Sequence, residues 1–491
     1  MGRILTNNVS LAYSVEATFG VLNPSGEWKL LEPNDISTFG ATITTVARNP
    51  ISKTRQRRKG TVTDLDSAAE FEHDLTREVF IDFVEGFVFA NFQGAITTRP
   101  TAVTTAQFTV PTMAAALLVD DLVFATGFPS ATNNGLHVVD ASPTTTAITV
   151  STTLVADAAV AVAENATVEV CGHRASTGDL VLDVTAGVGT LDSTTLDFTT
   201  LGLSLGQLIH IGGLTASEQF SAGAGYGRIT SISANEILLD KLSSTLATDP
   251  GTGETVDLLY GRFLKNVATD SADFIERSYQ FEAVLANLGA GGATRYEYSL
   301  GNLANTMAIS LPLADKAAIT LGFIGTDTQV PTASRASGAS TPTVTRQSSA
   351  FNTSADILRL RITKVDETGL TTCFKDVTLT LNNNVSPEKC LGTLGALFMN
   401  TGNFEVDLEG QILFTEEAVA SAVRNNETVT MDILLKNDQG AISVDLPALT
   451  LGDGTKEFPV NESVLMSLSG STFGDPILDT SIGISLFPVT P

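Results

Sequence analysis

A chain of 491 residues is long enough for about two to four domains, and 43% hydrophobic against 17% charged residues excludes a disordered polymer. The formal net charge of −26 sets a field over the chain as a whole that repels nucleic acid rather than gripping it, because phosphate binding needs clustered Lys and Arg. The opening MGRILTNNVSLAYSVEATFG lacks a signal-peptide core, and no run reaches the roughly 18 apolar residues of a membrane span, so we expect synthesis in the cytoplasm without signal-peptide secretion.

Abundant Thr, Ser, Val and Gly, with Pro and Gly punctuating short apolar runs, point to a mainly β protein. Cys171, Cys373 and Cys390 have no paired spacing and read as reduced thiols, with a Cys373–Cys390 bridge as the alternative. Residues 1–38 read as short strands and turns. Asn23-Pro24-Ser25-Gly26 is a turn, since Pro presets φ and Gly tolerates positive φ. Trp28 and Leu30 flank Lys29 in an alternating run, which places Trp28 at a core edge.

Residues 39–89 form the unit around which the chain is organised. Residues 41–47 read as a strand, 49–59 as a basic loop containing Pro50, 61–75 as a second alternating strand and 76–85 as a helix. Thr76 is the expected N-cap, with Glu78 in the first turn where the dipole favours a carboxylate. Val79, Phe80, Phe83, Val84 and Phe87 form one apolar stripe expected to face the core, and Gly86 is expected to mark the helix end to within a residue or two. Lys53, Arg55, Arg57, Arg58 and Lys59 make the one dense basic cluster. It reads as a solvated loop, as an arm that meets an acidic face of another subunit, or as a nucleic-acid contact. The last reading lacks interleaved aromatic residues and is opposed by the acidic field of the chain.

Residues 96–260 change character: aromatic residues thin out, and Ala, Thr, Val and Gly dominate. DDLVFATGF (120–128) resembles GQLIHIGGL (206–214), and each precedes a Gly-bearing β run, NNGLHVVDAS (133–142) and AGYGRITSIS (224–233). Two small tandem β modules, about 96–175 and 176–260, follow from this repeat. Residues 223–227 (GAGYG) lack the Lys-Ser/Thr and the long helix of a phosphate loop and read as a turn, while Cys171-Gly172-His173 has no second ligand pair at metal spacing.

Larger side chains return over 261–330, with alternation at 278–285, at Tyr296, Tyr298 and Leu300, and at 309–313. Residues 331–350 are a Ser/Thr/Ala/Pro tract that reads as a linker or loop. A weaker copy of the 39–89 plan then spans 374–426. Val377 to Leu381 alternates, Asn384-Val385-Ser386-Pro387 stands for the Pro-marked loop, Phe404-Glu405 for Phe71-Glu72, and Thr415-Glu416-Glu417 for the helix cap. Val419, Ala422 and Val423 form a narrower stripe, Arg424 suits the helix C-terminus, and strands follow at 428–435 and 484–487. The basic cluster has no counterpart in this copy. His73, His137, His173 and His210 are scattered, and no catalytic, phosphate-binding or metal motif occurs, so no catalytic residue, cofactor or metal is expected.

Two groups of strings carry a resemblance to the major tail tube proteins of long-tailed, siphovirus-like bacteriophages. One is TVARNPISKTRQRRKGTVTDLDSAAEFEHDLT with the helix after it; the other is LTLNNNVSPEKCLGTLG with FEVDLEG and AVRNNETVTMDILL. It covers 1–95 and 261–491. The resemblance implies a mainly β fold of two tandem tail-tube β-sandwich or barrel domains, each with a short flanking helix, plus inserted small β modules. The expected division is 1–95 with 261–330 as a discontinuous first tube domain, 96–260 as modules on the tube exterior, 331–350 as linker or loop and 351–491 as the second tube domain. It further implies a structural protein of the virion tail, stacked in rings of six tube domains around a lumen. Its partners would be other copies of itself, a tape measure protein in the lumen, and tail terminator and tail-tip proteins; viral DNA would pass without specific binding. Two copies per chain favour rings of three chains, with six as the alternative, and the basic loop becomes an assembly arm. The competing reading is another virion component, a fibre or decoration protein with β modules.

Overall fold

The computed structural model describes residues 4–51, 53–94, 96–160, 166–287, 293–336, 338, 342–344, 349–364, 369–371, 373–415 and 417–489. Among these residues two α-helices, α1 (Arg77–Val88) and α2 (Glu417–Asn425), accompany a structure otherwise made of strands and a few 3-10 turns. The mainly β expectation therefore holds.

Alternation builds the body. In strand Phe374–Asn382, Val377, Leu379 and Leu381 are buried while Thr378 and Thr380 on the other face are half-buried. Seven antiparallel pairings join eight such strands in the order Asp35–Arg48, Arg58–Asp74, Ala318–Gly325, Arg295–Pro312, Phe374–Asn382, Glu405–Leu413, Leu465–Thr472 and Gly440–Glu457. Two of these strands are long and serve two sheets. Residues 295–303 pair with Ser278–Asn287 and only then does the strand join the eight-stranded sheet; residues 440–450 pair with Thr428–Asn437 before the rest meets Leu465–Thr472. The outer layers are completed by Ile4–Val15 beside Ser278–Asn287, and by Ile357–Lys364, Gly483–Phe487 and Arg262–Lys265 around the second long strand. The result is a sandwich whose buried interior is one continuous core.

The body repeats one connectivity. Ile4–Val15, Asp35–Arg48, Arg58–Asp74, α1, Ser278–Asn287, Arg295–Pro312 and Ala318–Gly325 correspond in order to Ile357–Lys364, Phe374–Asn382, Glu405–Leu413, α2, Thr428–Asn437, Gly440–Glu457 and Leu465–Thr472, with matching partners. Side chains differ between the halves. The first packs Phe71, Phe83, Tyr279, Phe281 and Phe323 ring against ring, with Phe281 and Phe323 centroids 5.0 Å apart. The second fills the same place with Val406, Leu408, Met431, Leu449 and Met466. Phe404 precedes its strand whereas Phe71 lies deep inside its own, so matching Phe404-Glu405 to Phe71-Glu72 is out of register.

Helix α1 begins as its sequence requires: Thr76 Oγ1 accepts the Val79 N–H at 3.3 Å, and the apolar stripe is buried. Its end falls two residues past Gly86, within the bound expected. The helix runs to Val88, and Phe89 closes it at φ 52° with its N–H donating to Glu85 O. Gly86 is needed for packing, because a Cβ there would come within 2.7 Å of the Tyr279 ring. Helix α2 buries Val419 and Ala422; Glu416, in its expected cap, lies outside the described residues. Trp28 is buried, donates to Pro24 O at 3.1 Å and packs edge-on against Tyr298, as its place at a core edge anticipates. The tract 331–350 lies partly outside the described residues (337, 339–341 and 345–348); within it Arg335 pairs with buried Glu282 at 2.7 Å.

Residues 97–259 form a separate sheet system with its own core. The strings that repeat in sequence are both hairpins: Asp121–Thr126 pairs with Gly135–Val138, and Leu208–Ile211 with Gly225–Ile232. Each first strand also pairs with a later one, Thr167–Arg174 or Asp257–Leu259, and those two pair with each other, so one sheet runs through both repeats. Cys171 is buried there and its thiol is pushed up by desolvation; no disulfide joins Cys373 to Cys390.

Buried ions fix this system to the body. Lys241, 1% exposed, bonds Asp445 and Thr430, and Arg228 reaches the other Asp445 oxygen at 2.8 Å. Arg359 donates to Lys241 O at 3.0 Å and, with Arg361, pairs with Asp432. A second seam sets Glu169 between Arg262 at 2.9 Å and Arg77 of α1 at 3.5 Å. Burial would raise the Asp445 carboxyl, but Arg228 and Lys241 outweigh it and hold it below the usual range.

Two stability predictions follow from this packing. Asp445→Ala leaves Lys241 buried without its main counter-charge and should cost about 3–5 kcal/mol in urea unfolding. Because the folded Asp445 pKa is depressed, its contribution is present above the unfolded value near about 4 and should be lost as pH falls below it, so the variant's deficit should shrink in acid. Gly86→Ala should destabilise by about 1–3 kcal/mol through the Tyr279 clash, although Ala at an exposed helix site would gain up to about 1 kcal/mol.

Candidate assembly surface

One face of the eight-stranded sheet is buried, and among the described residues no further layer of the chain covers the other. A single cross-strand row runs over all eight strands on the open face: Asp35, Glu72, Thr320, Ala308, Thr380, Asp407, Ser471 and Thr450. The next row toward the turn end reads Asp74, Ala318, Ser310, Thr378, Glu409, Ser469 and Gly452. Outward positions are therefore acidic, hydroxylic or small, and neither row holds a Lys or Arg. Asp64, Asp66, Glu70, Glu72 and Asp74 fall on alternate positions of one strand, as do Glu405, Asp407 and Glu409 of another. Glu70 accepts from Ser37 Oγ and Asp407 from Ser471 Oγ, both at 2.7 Å. Burial would raise the Asp74 carboxyl, but Lys316 at 2.6 Å and Asn34 hold it below the usual range.

Both edges of this sheet are open. Asp35–Arg48 pairs with one strand alone, and residues 451–457 pair only with Leu465–Thr472 among the described residues. Every pairing along the path is antiparallel. Eight alternating strands leave the two edge strands pointing in opposite directions, so the edge of one copy meets the other edge of a second copy antiparallel after simple rotation.

The basic cluster stands on an arm. Residues 58–66 continue past Ser67, the last residue paired with Ala318–Gly325, for roughly 30 Å of strand at about 3.3 Å per residue. Beyond buried Leu65 at its base the arm is exposed on both faces: Ile43 is 55% accessible, Val46 57% and Val62 46%. Lys53, Arg55 and Arg57 lie in the connecting loop, whereas Arg58 and Lys59 already belong to the returning strand, so the expected loop of 49–59 ends two residues early. All five are exposed, and none has an ion-pair partner among the described residues. The loop of the second half takes a different course. Ser386–Glu388 pairs with Phe398–Asn400, and Lys389 reaches back to Asp64 and Asp66, both at 2.6 Å, bracing the base of the arm. The Lys389 ammonium holds the exposed Asp64 carboxyl below its usual value.

The open face and edges were missed by sequence reasoning that concentrated on the basic cluster. The signal was present as acidic residues at period two, DLD, EFEHD and EVDLE, in strands whose other face is apolar. No described group of His, Cys, Asp and Glu is arranged to hold a metal ion, and no described helix is long and apolar enough to cross a membrane.

The family model described as phage tail tube protein matches residues 6–469, almost the whole chain. No curated protein matches it. For the unassembled chain, limited trypsin should cut first between Lys53 and Lys59, and Lys389→Ala should speed that cut by loosening the base of the arm; mass spectrometry of the fragments reads both.

Proposed function

Because the chain belongs to the phage tail tube protein family, we propose that it polymerises into stacked rings forming the tail tube of the virion, a channel for genome delivery into the host. The observation that carries this reading is the eight-stranded sheet with two complementary open edges and one uncovered acidic face. Edge-to-edge closure satisfies the unpaired backbone groups that would otherwise template aggregation. Three chains then supply six repeats and about 24 strands, enough for a wide channel because barrel diameter grows with strand number. The open face becomes the lumen wall. Carboxylates and hydroxyls there repel DNA phosphates, so the genome slides without sticking.

Residues 1–95 with 261–330 and residues 351–491 act as the two tube domains, and 96–260 as modules on the exterior. Support for the exterior comes from where the buried seams lie. Leu208 and Tyr226 pack on Leu434, Ala441 and Phe487 of the outer layer, across the sandwich from the open face. The arm makes contacts between subunits or rings, a tape measure protein occupies the lumen before ejection, and terminator and tip proteins cap the tube. The role is structural, without catalysis.

Native mass spectrometry of isolated rings should give three chains, and a cryo-EM section about 24 strands; six chains per ring would refute this stoichiometry. Arg57→Glu with Arg58→Glu should abolish or sharply shorten tubes in negative-stain images while circular dichroism stays that of the folded chain. Normal-length tubes from that variant would remove the arm from assembly.

A further inference from the structure

The ends of the sheet carry one more relation, which rests on the ring-stacking reading above. Strand directions put the arm at one end. The turns 313–317 and 458–464 lie at the other, where Asp74 meets Ala318 and Glu457 meets Leu465. In a tube of like-oriented rings, the arm end of one ring faces the turn end of the next.

The duplication offers each arm two targets, and they are chemically unlike. In the first half's turn, Lys316 stands next to Asp315 and is itself paired with Asp74 at 2.6 Å, and the exposed apolar residue is Leu313. In the second half's turn, Glu457 and Glu462 have no ion-pair partner among the described residues, while Phe458 is 74% and Val460 86% exposed. The nearby cation, Lys456, lies over the Phe414 ring at 3.9 Å. The arm tip presents the complement: a fully exposed Ile51 beside the uncompensated cations Arg55, Arg57 and Arg58.

We propose that the basic arm of one chain docks on the turn 458–464 of a chain in the adjacent ring, so that first halves sit over second halves. Apolar contact of Ile51 with Phe458 and Val460 excludes water around the Arg–Glu pairs, which strengthens them and selects this target over the other turn. Successive rings are then offset by one pseudo-sixfold step, and the tube distinguishes two kinds of junction around its circumference.

Disulfide trapping in assembled tubes tests this. In a full-length chain carrying Cys373→Ser and Cys390→Ser, Arg57→Cys is combined with Glu462→Cys or with Asp315→Cys, and the tubes are oxidised and run on non-reducing gels. The 57/462 pair should give covalent multimers at a yield several-fold above the 57/315 pair. A stronger 57/315 product, or no product from 57/462 in tubes that form, would overturn the pairing while leaving the tail-tube reading intact. As a second measure, Glu457→Lys with Glu462→Lys should restore tube length to the Arg57→Glu, Arg58→Glu chain; failure to restore it would also count against the pairing. If the unmodified chain forms no rings or tubes at all, the assembly reading itself fails, and this inference with it.

Discussion

A sheet edge leaves a row of backbone N–H and C=O groups without partners, and the rest of this protein is arranged around two such edges. They border an antiparallel sheet of eight strands, so they point in opposite directions, and neither finds a further partner among the described residues. The two long strands make this possible. Each begins in an outer layer and ends in the eight-stranded sheet, so one strand ties the layers together while the far face of the sheet stays uncovered. Residues 453–456 interrupt the register beside one edge, with Asp453 at φ 63° and Gly454 at φ 84°. Such a bulge twists an edge and limits promiscuous pairing.

The charge of the chain is sorted by location. Buried ions are compensated: Lys241, Arg228, Arg359 and Arg361 against Asp432 and Asp445, and Glu169 against Arg77 and Arg262. Removing either sign there leaves a buried charge without water or partner, so these pairs tie the 97–259 sheet system to the body. The open sheet face keeps much of its negative charge, and the arm keeps its positive charge. Charge is compensated inside and left in excess on the surfaces that no other part of the described chain covers.

Duplication supplied the architecture, and divergence supplied asymmetry. The halves share pairing partners strand for strand, yet one core is aromatic and the other aliphatic, and one loop is a basic arm while the other folds back through Lys389 onto the base of that arm. The two halves therefore share a backbone plan and differ in the chemistry of their ends.

Much of this was legible in the residues. Period-two alternation at Val377, Leu379 and Leu381 fixes a half-buried strand, and Thr76 with the stripe from Val79 to Phe87 fixes α1, because both depend on neighbours within a few positions. The paired hairpins of the 97–259 system were visible as a repeat for the same reason. What local pattern could not decide came from contacts distant in sequence. Gly86 sits inside its helix because Tyr279, almost two hundred positions away in the chain, lies against it, and Lys241 is buried because Asp445 arrives to meet it. The acidic residues at alternate positions were plain in the sequence. That they form one face, continuous from Asp35 to Thr450 and bounded by two free edges, was decided by strand order alone, since only tertiary pairing brings eight separate stretches of chain into register.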